Sequence, residues 1–163
     1  MVLLVSLVFL LLLSLVGLSS MQGAISQQKV AGSLWHRNQS FQSAESGLRV
    51  GEVTVRRGGD ALPECHSVIT CSPPEEAFSL MGAGTNPVST VTWIASDGGF
   101  FGIQSIGDGL GLVHLPPQTS AQLFRVTAVG LVGQSRTVLE SVYARVEEGG
   151  RARFQRILWR QLQ

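Results

Sequence analysis

Charge is missing from the front of the chain. No Asp, Glu, Lys, Arg or His stands in residues 1–28, and the first charged side chain is Lys29. Proline is missing too, with none before Pro63, so nothing in the first 62 positions forces a helix to stop. Lys and Arg are both absent from 58–124. Overall the 163 residues are 14% charged with a formal net charge of +1, against about 25% charged in an ordinary soluble domain. That balance excludes a generic nucleic-acid binder, which carries a marked basic excess, and no nucleic-acid partner is expected. Catalytic signatures are also lacking. G-x-S-x-G does not occur, because GIQSIG at 102–107 has one residue too many before the serine. GAGT (82–85) and GDGLG (107–111) are not phosphate-loop patterns. His36, His66 and His114 have no acid or nucleophile at a telling spacing. No enzyme and no cofactor is expected.

What fills the uncharged front is apolar. Within MVLLVSLVFLLLLSLVGL (1–18) only Ser6, Ser14 and Gly17 interrupt the hydrophobic run. A bilayer core of ~30 Å needs about 20 apolar helical residues, and this stretch carried on to Ile25 meets that need. A cleaved secretory signal fits poorly, since no cation precedes the run and no A-x-A pattern follows it. The expectation is a membrane-inserted helix over 1–28, with Lys29 and Arg37 as its cationic flank and Trp35 near the boundary, where an amphipathic ring is favoured. The missing cationic leader is expected to mean that the chain is written in its processed form.

Residues 29–57 continue as an amphipathic helix. Leu34, Phe41, Leu48 and Val55 recur at a spacing of seven, with polar residues between them. These four are expected to pack on a sheet. Gly17, Gly23 and Gly32 mark places where the helix could loosen or another helix could approach. Gly47 and Gly51 read as fraying or as close packing on the head.

From 58 to 163 the period changes to that of strands. VSTVTWIAS (88–96) and GFFGIQSI (99–106) flank Asp97-Gly98, a hairpin signal. LGLVHL (110–115) reads as a further short strand. A three-stranded meander follows over 121–132, 135–147 and 151–160. One face of its first strand carries Phe124, Val126 and Ala128, and the next strand offers Val138, Val142 and Ala144. Trp93 and Trp159 read as core or sheet residues. The predicted fold is α+β: a long N-terminal helix, half in the membrane, packed on an antiparallel sheet head.

Charge is segregated, at +3 over 1–57, −6 over 58–124 and +4 over 125–163. Arg151, Arg153, Arg156 and Arg160 read as a solvated edge strand guarded by charge, with complementarity to an acidic neighbour as the sharper alternative. Cys65 and Cys71 are the only cysteines. In a head outside the cytoplasm they are expected to form a disulfide, and with His66 they lack the spacing of a zinc site. No metal is expected. Asp97 and Asp108 beside glycines read as turn residues rather than Ca²⁺ ligands.

The whole pattern resembles the type IV pilins, and within them the PilX-type minor pilins. The opening MVLLVSLVFLLLLSLVGLSSMQ, the segment QQKVAGSLWHRNQSFQSAESGLRVGE and the ending FRVTAVGLVGQSRTVLESVYARV with RILWRQL carry the likeness. AESGLRVGE (44–52) is its most specific part. The resemblance implies a leader cut off by a prepilin peptidase and Met1 as the processed, methylated N-terminus. It implies helix packing through Leu3, Leu4, Val5, Val8, Phe9, Leu12 and Leu15. Other minor pilins, the major pilin, the assembly platform and a PilY-type tip adhesin are the implied partners. The implied location is the bacterial inner membrane with a periplasmic head, then the extracellular pilus, at its tip. Most pilins carry Glu at the fifth mature position, whereas this chain has Val5. The same lack marks the K-type pseudopilins of type II secretion, which usually have a larger head. A singly anchored periplasmic binding module is the remaining alternative.

Overall fold

The computed structural model describes residues 1–58, 62–112, 116 and 118–163, apart from the side chain of Ser20. One helix, α1, runs Val2–Gly58. Its sequence holds no proline, and Arg56 and Arg57 lie in its last turn, where cations meet the negative end of the helix dipole. The chain divides into two compact units, Met1–His36 and Arg37–Gln163.

The first unit is bare helix. The second joins the rest of α1 to α2 (Val68–Cys71), a 3-10 turn (Glu75–Phe78) and six strands. The strands are β1 (Gly84–Thr85), β2 (Thr92–Ser96), β3 (Gly99–Gly109), β4 (Ala121–Val132), β5 (Ser135–Glu148) and β6 (Arg151–Gln161). They form one sheet in chain order, antiparallel at every pairing. This is the expected α+β architecture, a six-stranded meander that includes β1 at Gly84–Thr85 beside the expected hairpin and final three strands.

Both faces of the sheet are covered. Ala44, Leu48 and Val55 of α1 form one core with Phe101, Phe124, Val126, Ala128, Leu139 and Tyr143. On the opposite face Ala77, Val91 and Trp93 pack with Val129 and Val138. A third cluster, of Ala121, Ala144 and Val146, extends that burial. Every residue of β5 from Thr137 to Ala144 is therefore buried, because a central strand covered on both sides has no wet face.

That double burial corrects the face assigned to β5. Its register pairs Ala128 with Leu139, Val126 with Ser141 and Phe124 with Tyr143, so these odd-numbered positions face the helix. Val138 joins the opposite core and Ala144 the third cluster. Strand β2 also starts later than the sequence suggests. The Asn86 side chain accepts from the Val88 and Ser89 amides at 2.8 and 3.1 Å and turns the chain there. Thr90, at φ 61°, is the non-glycine residue with positive φ among those described. The strand read over 110–115 falls partly on 113–115, outside the described residues, and Leu110–Leu112 are not in a strand.

The helix approaches the sheet through missing side chains. A Cβ on Gly130 of β4 would fall on the Ser40 carbonyl oxygen and 2.6 Å from the Ala44 nitrogen. A Cβ on Gly51 would collide with Val126 and stand 3.1 Å from Phe101 Cδ2. Gly51 thus serves close packing, not fraying.

Candidate assembly helix and its supporting head

The residues expected to pack helix on helix lie on the first unit. Leu3, Leu4, Val5, Val8, Phe9, Leu12 and Leu15 are between 46% and 78% exposed. Met1 is fully exposed, and its carbonyl accepts from the Val5 amide at 3.3 Å. Ser6, one of the polar interruptions, returns its hydroxyl to the Leu3 carbonyl at 2.9 Å, which makes it cheaper to bury in an apolar setting. The most apolar 18-residue window of α1 has a mean hydropathy of 2.8 and none of it is buried in the chain. Such a surface has two physical covers, lipid and other apolar helices.

The stripe expected to meet the sheet does so over its later part. Leu48 and Val55 are 1% exposed, and Phe41 packs against the same core and edge-on to Trp159 with ring centroids 6.3 Å apart. Leu34 is 53% exposed and belongs to the first unit. Among the described side chains of α1 the first buried one is Ser40, whose hydroxyl lies 2.9 Å from that of Thr137. Trp93 is buried, and Trp159 is partly exposed on β6.

Sequence reading missed two buried ion clusters. Glu52 of α1 is 5% exposed. Its carboxylate accepts from Arg156 Nη2 at 2.7 and 2.9 Å and from the Ser141 hydroxyl at 3.1 Å. Arg156 Nε donates to the Tyr143 hydroxyl at 3.2 Å. Burial first, then the Glu52 side chain, holds the Tyr143 hydroxyl above its ordinary pKa, with Arg156 pulling the other way. On the opposite face Glu140 is wholly buried between Arg160 at 3.0 Å and Arg125 at 3.3 Å. The Arg125 contact is held by charge rather than by an aligned hydrogen bond. Burial pushes the Arg125 guanidinium below its ordinary value, and Glu140 opposes that push.

β6 is the charged edge strand that the sequence suggests, but two of its four exposed arginines also reach inward. Arg156 and Arg160 anchor the strand to buried carboxylates, while Arg151 is exposed and Arg153 stands 3.9 Å from Glu148 at the surface. A register shift opposite Val142 and Tyr143 lets both faces be served. Arg156 and Trp159 then pair with Tyr143 and Ser141 on the helix side, and Arg160 with Glu140 on the other.

Cys65 and Cys71 are joined in a disulfide with Cα atoms 5.2 Å apart. No group of three or more His, Cys, Asp or Glu able to hold a metal ion occurs among the described residues.

A long apolar N-terminal helix whose later part lies on an antiparallel sheet is the architecture of the type IV pilins. Residues 1–49 match the family model for the PilX N-terminal segment, a match confined to α1. The chain thus carries a PilX N-terminal segment over 1–49, joined to a pilin-like α+β head, and its helix is long and apolar enough to cross a membrane. No curated protein and no solved structure matches it.

Proposed function

We propose that this chain is a minor subunit that primes assembly of a type IV pilus and stays at or near the filament tip, in complex with other minor pilins. Before assembly it waits in the inner membrane with its head in the periplasm. In the filament it joins the major pilin, is delivered by the assembly platform and carries a PilY-type adhesin above it. Met1 is the processed, methylated end.

The observation that carries this reading is the uncharged, exposed helix start with Val5 where pilins ordinarily carry an acid. A carboxylate at the bilayer centre costs about 2.5–3.5 kcal/mol even on the lenient insertion scale. It is tolerated where a cation can pair with it, and in a packed filament that cation is the N-terminal amine of an adjacent subunit. Val5 offers that amine nothing. The chain therefore enters and leaves the membrane with no acid to neutralise and has no electrostatic claim on a subunit beyond it, which suits the end of the row. The apolar surface of Leu3, Leu4, Val8, Phe9, Leu12 and Leu15 still supplies packing against the helices below.

The test is recovery of sheared filaments from the native host and mass spectrometry of the intact chain. The expected result is this chain in the filament fraction with a methylated Met1. Its confinement to detergent-extracted membranes, with an unmodified amine, would contradict the reading and favour an anchored periplasmic module.

A further inference from the structure

The loop closed by Cys65–Cys71 displays two large apolar side chains. Val68 is 86% exposed and Ile69 is 65% exposed, in a four-residue helix. β-Branched residues are poor helix formers, and apolar side chains on a single exposed turn gain nothing from the fold. Yet the turn is held from several sides. The disulfide closes it. Ser67 and Thr70 cap it reciprocally, each backbone amide donating to the other's hydroxyl at 3.1 Å. Gln104 Nε2, from the sheet, donates to the Thr70 and Ser72 carbonyls at 2.7 and 3.2 Å. Arg125 Nη1 donates to the Cys71 carbonyl at 2.6 Å and to Gln104 Oε1 at 3.3 Å. Two buried or nearly buried side chains, one of them the cation paired with Glu140, thus fix a loop whose two apolar tip residues stay mostly exposed.

A segment fixed in this way has little conformational freedom left to lose on binding, and exposed apolar side chains on it are contact area. Its surroundings state the partner's charge. Residues 58–124 contain six acids and no Lys or Arg, and the exposed Glu64 and Glu75 flank the loop in the chain. We infer that the Cys65–Cys71 loop is a rigid docking knob, with Val68 and Ile69 as its contact residues, for an apolar groove rimmed by cations on the head of a neighbouring subunit of a different kind. The inference rests on the assembly reading above. The acids guide the approach and reject acidic surfaces, and the two side chains supply the buried contact.

The experiment measures incorporation into sheared filaments, relative to membrane abundance, for the full chain in its native host. The doubly substituted V68S/I69S chain is expected to incorporate at least tenfold less than wild type. The charge-reversed E64K/E75K chain is expected to fall several-fold. Val88→Ser, a change at an equally apolar and exposed position outside the loop, is expected to incorporate normally. Normal membrane levels and an intact disulfide by alkylation mass show that the variants fold. Incorporation of V68S/I69S at the wild-type level overturns the knob while leaving the assembly function standing. So does an equal loss in Val88→Ser. Absence of the wild-type chain from filaments overturns both.

Discussion

Arg156 Nη2 reaches both carboxylate oxygens of Glu52, at 2.7 and 2.9 Å, and ties the long helix to the last strand of the sheet. The contact spans 104 residues of chain. Glu52 is buried, whereas the Arg156 side chain is 43% exposed. Removal of the cation therefore costs more than removal of the acid's charge. Arg156→Met strands a buried carboxylate and is expected to destabilise the fold by about 3 kcal/mol. Glu52→Gln keeps the shape and is expected to cost about 1–2 kcal/mol, discounted for the solvent around Arg156. Denaturant unfolding of the full chain in detergent checks the order. The double variant should lose less than the sum.

Tyr143 is the chain's single tyrosine, so its ionisation can be followed by ultraviolet absorbance without interference from another tyrosine. Its pKa is raised above the ordinary phenol value of 10.0, burial being the largest cause. The folded chain therefore keeps the phenol proton when the unfolded chain has lost it. The associated stability is fully present below pH 10 and falls as pH rises above it, through the folded-state pKa. Tyr143→Phe is expected to flatten that alkaline loss. A Tyr143 that titrates at or below the ordinary value would contradict the buried cluster.

Gly130→Ala places a methyl group on the Ser40 carbonyl, a backbone atom that cannot move aside alone. The expected cost is about 3 kcal/mol or more, at the upper end of overpacking. Gly23→Ala meets nothing within 4 Å and is expected to be neutral or stabilising by up to ~1 kcal/mol through helix propensity. Thermal unfolding followed by circular dichroism separates the two.

The disulfide joins residues six apart in sequence. Closing so short a loop is worth about 2 kcal/mol in the chain-entropy account. The doubly substituted C65S/C71S chain is expected to lose roughly that amount in denaturant unfolding. It should also exchange the amides of Thr70 and Cys71 faster, while the hydrogen bonds of β4 and β5 stay protected.

Much of this fold could be read from local pattern. The uncharged run, the absence of proline and the spacing of Phe41, Leu48 and Val55 gave the helix. Glycine turns at 133 and 149–150 gave the final strands to within a residue. What failed was anything set by two elements at once. The two faces of β5 are both apolar, so alternation could not say which met the helix. Arg156 and Arg160 read as a solvated edge from sequence, and their partners Glu52 and Glu140 emerge only once the helix and β5 lie beside β6. The turn that follows Asn86 overlapped the start of the strand read over 88–96, because its signal is a side-chain bond to the backbone. Val68 and Ile69 carry no signal of exposure in the sequence, and only the structure shows them standing out on a stapled turn.

The central claim is that an apolar helix start without its acid places this subunit at the end of the filament. Immunogold labelling of filaments from cells carrying wild type or Val5→Glu tests it directly. The account predicts wild-type label confined to filament ends, with Val5→Glu also appearing along the shafts. Wild-type label spread evenly along the shafts, in the same pattern as Val5→Glu, would contradict it.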